Sequence, residues 1–248
     1  MKAVVVGASS GLGRCIAVGL GRRGAQVALL ARRKDRLVEA AADAGPDALP
    51  IQCDVTDVDS CRSAIAEAAE ALGGIDALVY ATGIGILSRI EELDTEAWRQ
   101  LFDTNVIGAA HITTAALPHL RASSGTAAYL SSVAGTYTPP WPGLGGYAVS
   151  KAALDQLIEA MRQEHPDVGF TRVIVGDCGG GEGDAAVGFT TGWDMDLATE
   201  VMPIWMERHY LSGSLVDVEE LVRVVDTVLR CGASACIPTV AVIPRPPV

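Results

Sequence analysis

Residues 4–13 read Val4-Val5-Val6-Gly7-Ala8-Ser9-Ser10-Gly11-Leu12-Gly13. Three consecutive valines, apolar throughout, predict a strand covered on both faces. An amphipathic stretch over 11–23 predicts a helix directly after it. Between them lies Gly-x-x-x-Gly-x-Gly. A strand-to-helix turn with that spacing suits a dinucleotide pyrophosphate. One glycine makes the tight turn, others let the backbone approach the anion, and the free N–H groups of the helix N-terminus hold it. Gly7, Ser9, Ser10, Gly11, Leu12 and Gly13 are the expected cradle.

The same strand–helix alternation continues along the chain. Val4–Val6, Val27–Leu30, Leu49–Cys53, Ala77–Tyr80, Ala127–Leu130, Phe170–Val175 and Cys236–Ile243 read as strands. Residues 11–23, 34–44, 57–72, 95–120, 147–164 and 217–231 read as helices, the last opened by Asp217 with Glu220 three residues on, the spacing of a capping box. Alternation of this kind implies an α/β fold: a parallel, doubly wound sheet with right-handed crossovers and helices on both faces. No repeat, linker or low-complexity tract interrupts residues 1–248, so one domain is expected.

The formal net charge of −11 argues against nucleic acid and anionic membrane as partners. No apolar run reaches the length of a membrane span, and the N-terminal run enters the glycine turn instead of a cleavage site. Six scattered cysteines without a Cys-x-x-Cys pair point to reduced thiols and a cytoplasmic setting. His111, His119, His165 and His209 match no metal-ligand spacing, and no metal is expected.

Two further stretches carry chemistry. After the second strand, where an adenosine ribose would lie, the chain has Ala31-Arg32-Arg33-Lys34 and no carboxylate. A carboxylate there selects the 2′-hydroxyl of NAD, whereas arginine's fork suits a 2′-phosphate. Arg32 leads this expectation of NADP(H), with Arg33 beside it and Ser9 able to add a hydroxyl. Asp54, in Cys53-Asp54-Val55, either accepts from the adenine amino group or holds a turn; the residues leave both open. Tyr147-Ala-Val-Ser-Lys151 places a phenol and an ammonium one helical turn apart. A free phenol titrates near ~10, and a neighbouring cation lowers that value. The pair is therefore a proton-transfer device in outline.

Taken together, the glycines at 7, 11 and 13, Asp54-Val55, Asn105, Ser131-Ser132-Val-Ala-Gly135 and Tyr147/Lys151 resemble, in order and spacing, the short-chain dehydrogenases/reductases of about 250 residues. The resemblance implies a seven-stranded sheet in the order 3-2-1-4-5-6-7 and a nicotinamide cofactor. It implies Tyr147 as general acid, Lys151 as its partner and holder of the nicotinamide ribose, and Ser132 as hydrogen-bond donor to the substrate oxygen. Asn105 would fix a water linking Lys151 to solvent. Ala81, Gly83 and Gly179 would flank the cofactor with Val55. The implied activity interconverts a ketone and a secondary alcohol in a small, largely apolar substrate. Dehydration, epimerisation and nucleotide sensing are alternatives on the same scaffold. A homodimer or homotetramer built on helices around 95–120 and 147–164 is implied.

Several positions depart from that family. Tyr80-Ala81-Thr82-Gly83 lacks the usual asparagine. Pro139-Pro140-Trp141-Pro142 stiffens the loop before Tyr147, with Trp141 either a pocket wall or a plug. Gly176–Asp184 replaces a Pro-Gly turn and its threonine, and sets Cys178 where proline is expected. Residues 186–215 form the expected substrate lid, where Phe189, Trp193, Met195, Leu197, Met202, Trp205 and Met206 predict an apolar pocket made adaptable by methionine.

Overall fold

Along the first strand, Val4 and Val6 point into one apolar layer and Ala3 and Val5 into another. This alternation with both sides covered is the reason the strand reads as continuously apolar. In the computed structural model, which describes residues 1–180, 188–211, 213–231 and 233–245, seven strands form one parallel sheet. They are β1 (Lys2–Val6), β2 (Gln26–Ala31), β3 (Leu49–Gln52), β4 (Ala77–Tyr80), β5 (Thr126–Ser132), β6 (Gly169–Val175) and β7 (Thr239–Val242). Their order is β3-β2-β1-β4-β5-β6-β7. The order reverses direction between β1 and β4, and the crevice outside their C-terminal ends is where such sheets bind ligands.

Helices α3 (Val58–Leu72), α5 (Gly108–Ser123) and α6 (Gly145–Glu164) cover one face. Helices α1 (Gly11–Arg22), α2 (Lys34–Ala44) and α8 (Val218–Leu229) cover the other. Helix α4 (Thr95–Phe102) precedes α5, and α7 (Met195–Glu207) packs through Ala198, Val201 and Trp205 into a third apolar cluster with Trp141 and Leu144. Aspartate side chains cap four helices: Asp57, Asp94, Asp194 and Asp217 each accept from first-turn N–H groups.

The segment 95–120 is not one regular helix. A π-helical turn at Asp103–Ile107 separates α4 from α5 and carries Asn105 inward. Such insertions concentrate at functional sites. Helix α7 was not among the expected helices, and β7 is shorter than the run Cys236–Ile243.

Candidate active site

The loops that follow β1 to β6 meet in one cleft of about 860 Å3. Its phosphate end is built on glycine. Gly7 has φ +88 and Gly11 φ +56, both in the left-handed region. A Cβ on Gly13 would lie 2.4 Å from the Gly7 carbonyl oxygen, and one on Gly7 would lie 2.8 Å from the Thr82 nitrogen. The Gly7 and Ala8 N–H groups donate to Leu30 O at 2.8 and 3.2 Å, fixing the turn to β2.

Unlike the aspartate-capped helices, α1 begins at Ser10 without a side-chain cap bond. The Ser10 hydroxyl instead accepts from Arg33 Nη2 at 2.6 Å, as does the Ser9 hydroxyl at 3.0 Å. Burial, together with the charges of Arg36 and Arg32, holds the Arg33 pKa below its usual value. Arg33, read from sequence as secondary to Arg32, is thus the arginine bonded to the glycine turn. Arg32 lines the cleft beside it, its carbonyl held by Gln52 at 3.1 Å. Asp54 also lines the cleft, while its Oδ1 accepts from Thr56 N at 3.0 Å and Thr56 Oγ1 at 2.8 Å. Burial pushes its carboxyl up. The Thr56 bonds and the Arg32 charge outweigh burial and leave it below the usual range. Val55, Ala81 and Gly83 line the same cleft.

At the opposite end, Tyr147 and Lys151 share a wall with Ser131 and Ser132. Tyr147 is half-buried on the same wall as Ser132, whose Oγ accepts from Ala134 N at 3.2 Å. Lys151 is 4% exposed; its Nζ donates to Leu130 O at 2.8 Å and lies 5.9 Å from the Tyr147 ring centre. Burial pushes the Tyr147 phenol up to about 12, against the pull of the Ser132 hydroxyl. Burial pulls Lys151 down to about 8, with Asp155 opposing. The expectation that Lys151 lowers the Tyr147 pKa is therefore corrected: burial raises the phenol, and the group that pulls it down is Ser132.

Asn105 is wholly buried and does not line the cleft. Its Oδ1 accepts from Ile84 N at 2.9 Å, and its Nδ2 donates to Ile84 O at 3.0 Å and Ser150 Oγ at 2.9 Å. Ser150 in turn donates to Tyr147 O at 2.7 Å. Asn105 thus clamps the loop after β4 to the first turns of α6, behind Gly83. Ser150 was missed in the sequence, although its place between Tyr147 and Lys151 was a signal. So was Tyr80, whose hydroxyl donates to Thr104 O at 2.5 Å and ties β4 to the π-helical turn.

The later segments rearrange the expectations most. Gly179 does not reach the cleft; its N–H donates to Val216 O at 3.2 Å, and Cys178 bridges to Val216. Burial pushes the Cys178 thiol up to about 11, which opposes a reactive thiolate. Gly181–Asp184 and residues 186–187 lie outside the described residues. Phe189 and Thr191 line the cleft. Phe189 meets Tyr147 edge-on at 4.9 Å and Trp193 at 5.4 Å, its ring seated on Gly85. Trp141 is both plug and wall: it stacks on Tyr210 at 5.5 Å, bonds Thr138 through Nε1 at 2.9 Å, and presents an edge to the cleft. Met195, Met202 and Met206 are 69%, 44% and 61% exposed, on the outside of α7. The methionine-lined pocket is therefore not found: the apolar residues of 186–215 did not say which of them would face out.

The arrangement fits a dinucleotide. An uncapped helix N-terminus and a glycine approach stand at one end, and a phenol–hydroxyl–ammonium set stands at the other. Among the described residues no metal-binding cluster occurs, and no helix is long and apolar enough to cross a membrane.

Comparison with known proteins agrees. The family model for short chain dehydrogenases matches residues 1–189. The "11-beta-hydroxysteroid dehydrogenase A" of Sesamum indicum is 37% identical over 179 residues, 70% of this chain and 51% of that protein. An uncharacterized oxidoreductase of Staphylococcus epidermidis is 33% identical over 163 residues, 65% of this chain and 70% of that protein. The chain spans about half the length of the hydroxysteroid dehydrogenases it matches. Among solved structures, an alcohol dehydrogenase from the archaeon Thermococcus sibiricus, complexed with 5-hydroxy-NADP, aligns with TM-score 0.79 and 25% identity over 97% of this chain and 94% of that one. A short-chain dehydrogenase from Streptomyces avermitilis aligns with TM-score 0.79 and 28% identity, over 97% and 87%.

Proposed function

The chain belongs to the short-chain dehydrogenases/reductases, and from that premise we propose that it is an NADP(H)-dependent oxidoreductase, interconverting a ketone and a secondary alcohol in a small, largely apolar molecule. The observation that carries this reading is the placing of Ser132, Tyr147 and Lys151 on the wall of the cleft that also holds the glycine turn and Arg33.

The bound nicotinamide supplies or accepts the hydride. Everything else falls to the chain. Gly7–Gly13 and the N-terminus of α1 hold the pyrophosphate. Arg33, positioned by Ser9 and Ser10, with Arg32 beside it, takes the 2′-phosphate as a forked donor. Asp54 and Val55, on the cleft wall, would border the adenine. Ser132 would donate to the substrate oxygen, and Tyr147 would deliver the proton to that oxygen. A protonated Lys151 stabilises the phenolate left behind. Positioned proton transfer of this kind contributes roughly 10²–10⁴-fold. Asn105 and Ser150 keep α6 in register with the loop after β4. Thr191 on the cleft wall supplies a hydroxyl near the nicotinamide end, and Phe189 and Trp141 make the substrate side apolar. The 5-hydroxy-NADP in the Thermococcus sibiricus relative supports the choice of cofactor.

Incubating the protein with stoichiometric NADPH and a panel of ketones tests the proposal. Loss of the nicotinamide absorbance with a matching yield of alcohol is expected. Turnover of a substrate with the absorbance unchanged would instead favour dehydration or epimerisation with a recycled cofactor.

A further inference from the structure

We propose that Asp155 is a positioning residue for proton transfer, a buried carboxylate one helical turn beyond Lys151 that keeps the lysine cationic and pins the Ser132 turn to α6. The proposal rests on the role given to Lys151 above.

Helix α6 carries Tyr147, Lys151 and Asp155 at four-residue intervals, so the three lie along one stripe. The Asp155 side chain has no solvent exposure. Its Oδ2 accepts from Thr136 Oγ1 at 2.7 Å and pairs with Arg172 Nη1 of β6 at 3.3 Å. Thr136 belongs to the π-helical turn Val133–Tyr137, which begins directly after Ser132. The same turn packs on α6 at Gly135, where a Cβ would lie 3.3 Å from the Lys151 Cβ. Asp155 therefore ties the Ser132 turn to the helix bearing Tyr147 and Lys151.

A clamp alone does not account for the rest. Asp155 Oδ1 is buried without a hydrogen-bond partner among the described residues, as are Arg172 Nε and Ser131 Oγ. Unpaired polar atoms are costly to bury, and a carboxylate costs more than a neutral acceptor that would hold Thr136 equally well. What a carboxylate adds is charge. Lys151 needs it, because a buried ammonium bonded to a neutral carbonyl gives up its proton readily.

The surroundings offer little else. From its own helix Lys151 faces Tyr147, which is neutral below its high pKa. Asn105, Ser131, Ser132 and Thr136, from the neighbouring elements, are uncharged. Arg172, from β6, is a cation that competes for the Asp155 carboxylate. Among the described residues, the carboxylate whose field acts on Lys151 is Asp155, and it opposes the effect of burial.

The chain has only three lysines, Lys2, Lys34 and Lys151. NMR of protein labelled with ¹³C at lysine Cε therefore follows Lys151 directly, without substrate or cofactor. With Asp155→Asn, the Lys151 titration midpoint is expected to fall by about 1 pH unit or more. An unmoved midpoint overturns the proposal even if the melting temperature drops, because a purely structural clamp moves only the latter. Should Asp155→Asn fail to fold, Arg172→Gln decides. Removing the competing cation is expected to raise the midpoint, and a midpoint that does not rise overturns the proposal. Neither reading depends on turnover, so both stand apart from the fate of the proposed activity.

Discussion

Arg32 and Arg33 show how much a single hydrogen-bond pattern adds to a sequence. Both are exposed cations after β2, and their order in the chain favoured Arg32. The bonds from Arg33 to Ser9 and Ser10 favour its neighbour. A guanidinium already held at the glycine turn loses less freedom when it meets a phosphate. Arg33→Ala is accordingly expected to weaken NADPH binding by at least about tenfold, more than Arg32→Ala does, with NADH affinity changed far less. Fluorescence titration of each variant with both cofactors measures this; equal losses for NADPH and NADH would remove the 2′-phosphate argument. At the same scale, the Tyr147 pKa was beyond sequence reading. Spacing revealed the nearby cation, whereas the burial that raises the phenol involves Phe189, distant in the chain.

At the scale of elements, the strand-to-helix turn was the most legible part. Strand starts and ends fell within a few residues of the apolar runs, because continuous burial on both faces leaves an unmistakable composition. The π-helical turn at Asp103–Ile107 was not legible: one extra residue in a turn changes the apolar period too little to be seen in a single sequence. The outward face of α7 was hidden for a related reason, since a helical stripe specifies two sides without naming their neighbours. The glycine turn supports a sharp prediction. A methyl group at position 13 meets backbone, not a movable side chain, 2.4 Å from the Gly7 oxygen. Gly13→Ala should lower the melting temperature by several degrees and reduce dinucleotide affinity at least about tenfold, since Gly7 must shift to relieve the contact. Gly24→Ala is a useful contrast, because no atom lies within 4 Å of a Cβ there, although its φ of +81 is itself unfavourable for alanine.

For the whole molecule, the site leaves a mark on stability. Lys151 titrates at about 8 in the folded chain, against roughly 10.4 when unfolded. Below about 8 both states are protonated, and the folded state bears the full cost of a buried ammonium. Between 8 and 10 the folded state sheds its proton first, so stability rises with pH. Tyr147 acts in the opposite sense only above about 10, where the unfolded chain ionises and the folded phenol, near 12, does not. Melting temperatures measured from pH 7.5 to 9.5 should therefore climb more steeply for the native chain than for Lys151→Met. Parallel curves would contradict the assignment of a buried, depressed lysine. Assembly belongs to this scale too. Ile107 and Val149 leave apolar side chains 42% and 43% exposed, on the two long helical segments implied as an interface. We propose that these segments meet in a homodimer or homotetramer, which light scattering after size-exclusion chromatography tests. The fold was readable because strand–helix alternation continues along the whole chain. The packing of residues 188–211 was not, because it is decided by contacts between distant aromatic rings.

The central claim is that Tyr147 delivers the proton in a hydride-transfer site. Tyr147→Phe keeps the ring and its contact with Phe189 while removing the hydroxyl. With a ketone identified from the NADPH panel, this variant should lose at least about 10³-fold in turnover, while its affinity for NADPH stays within a few fold of the native protein. A variant that retains most of its turnover would contradict the account.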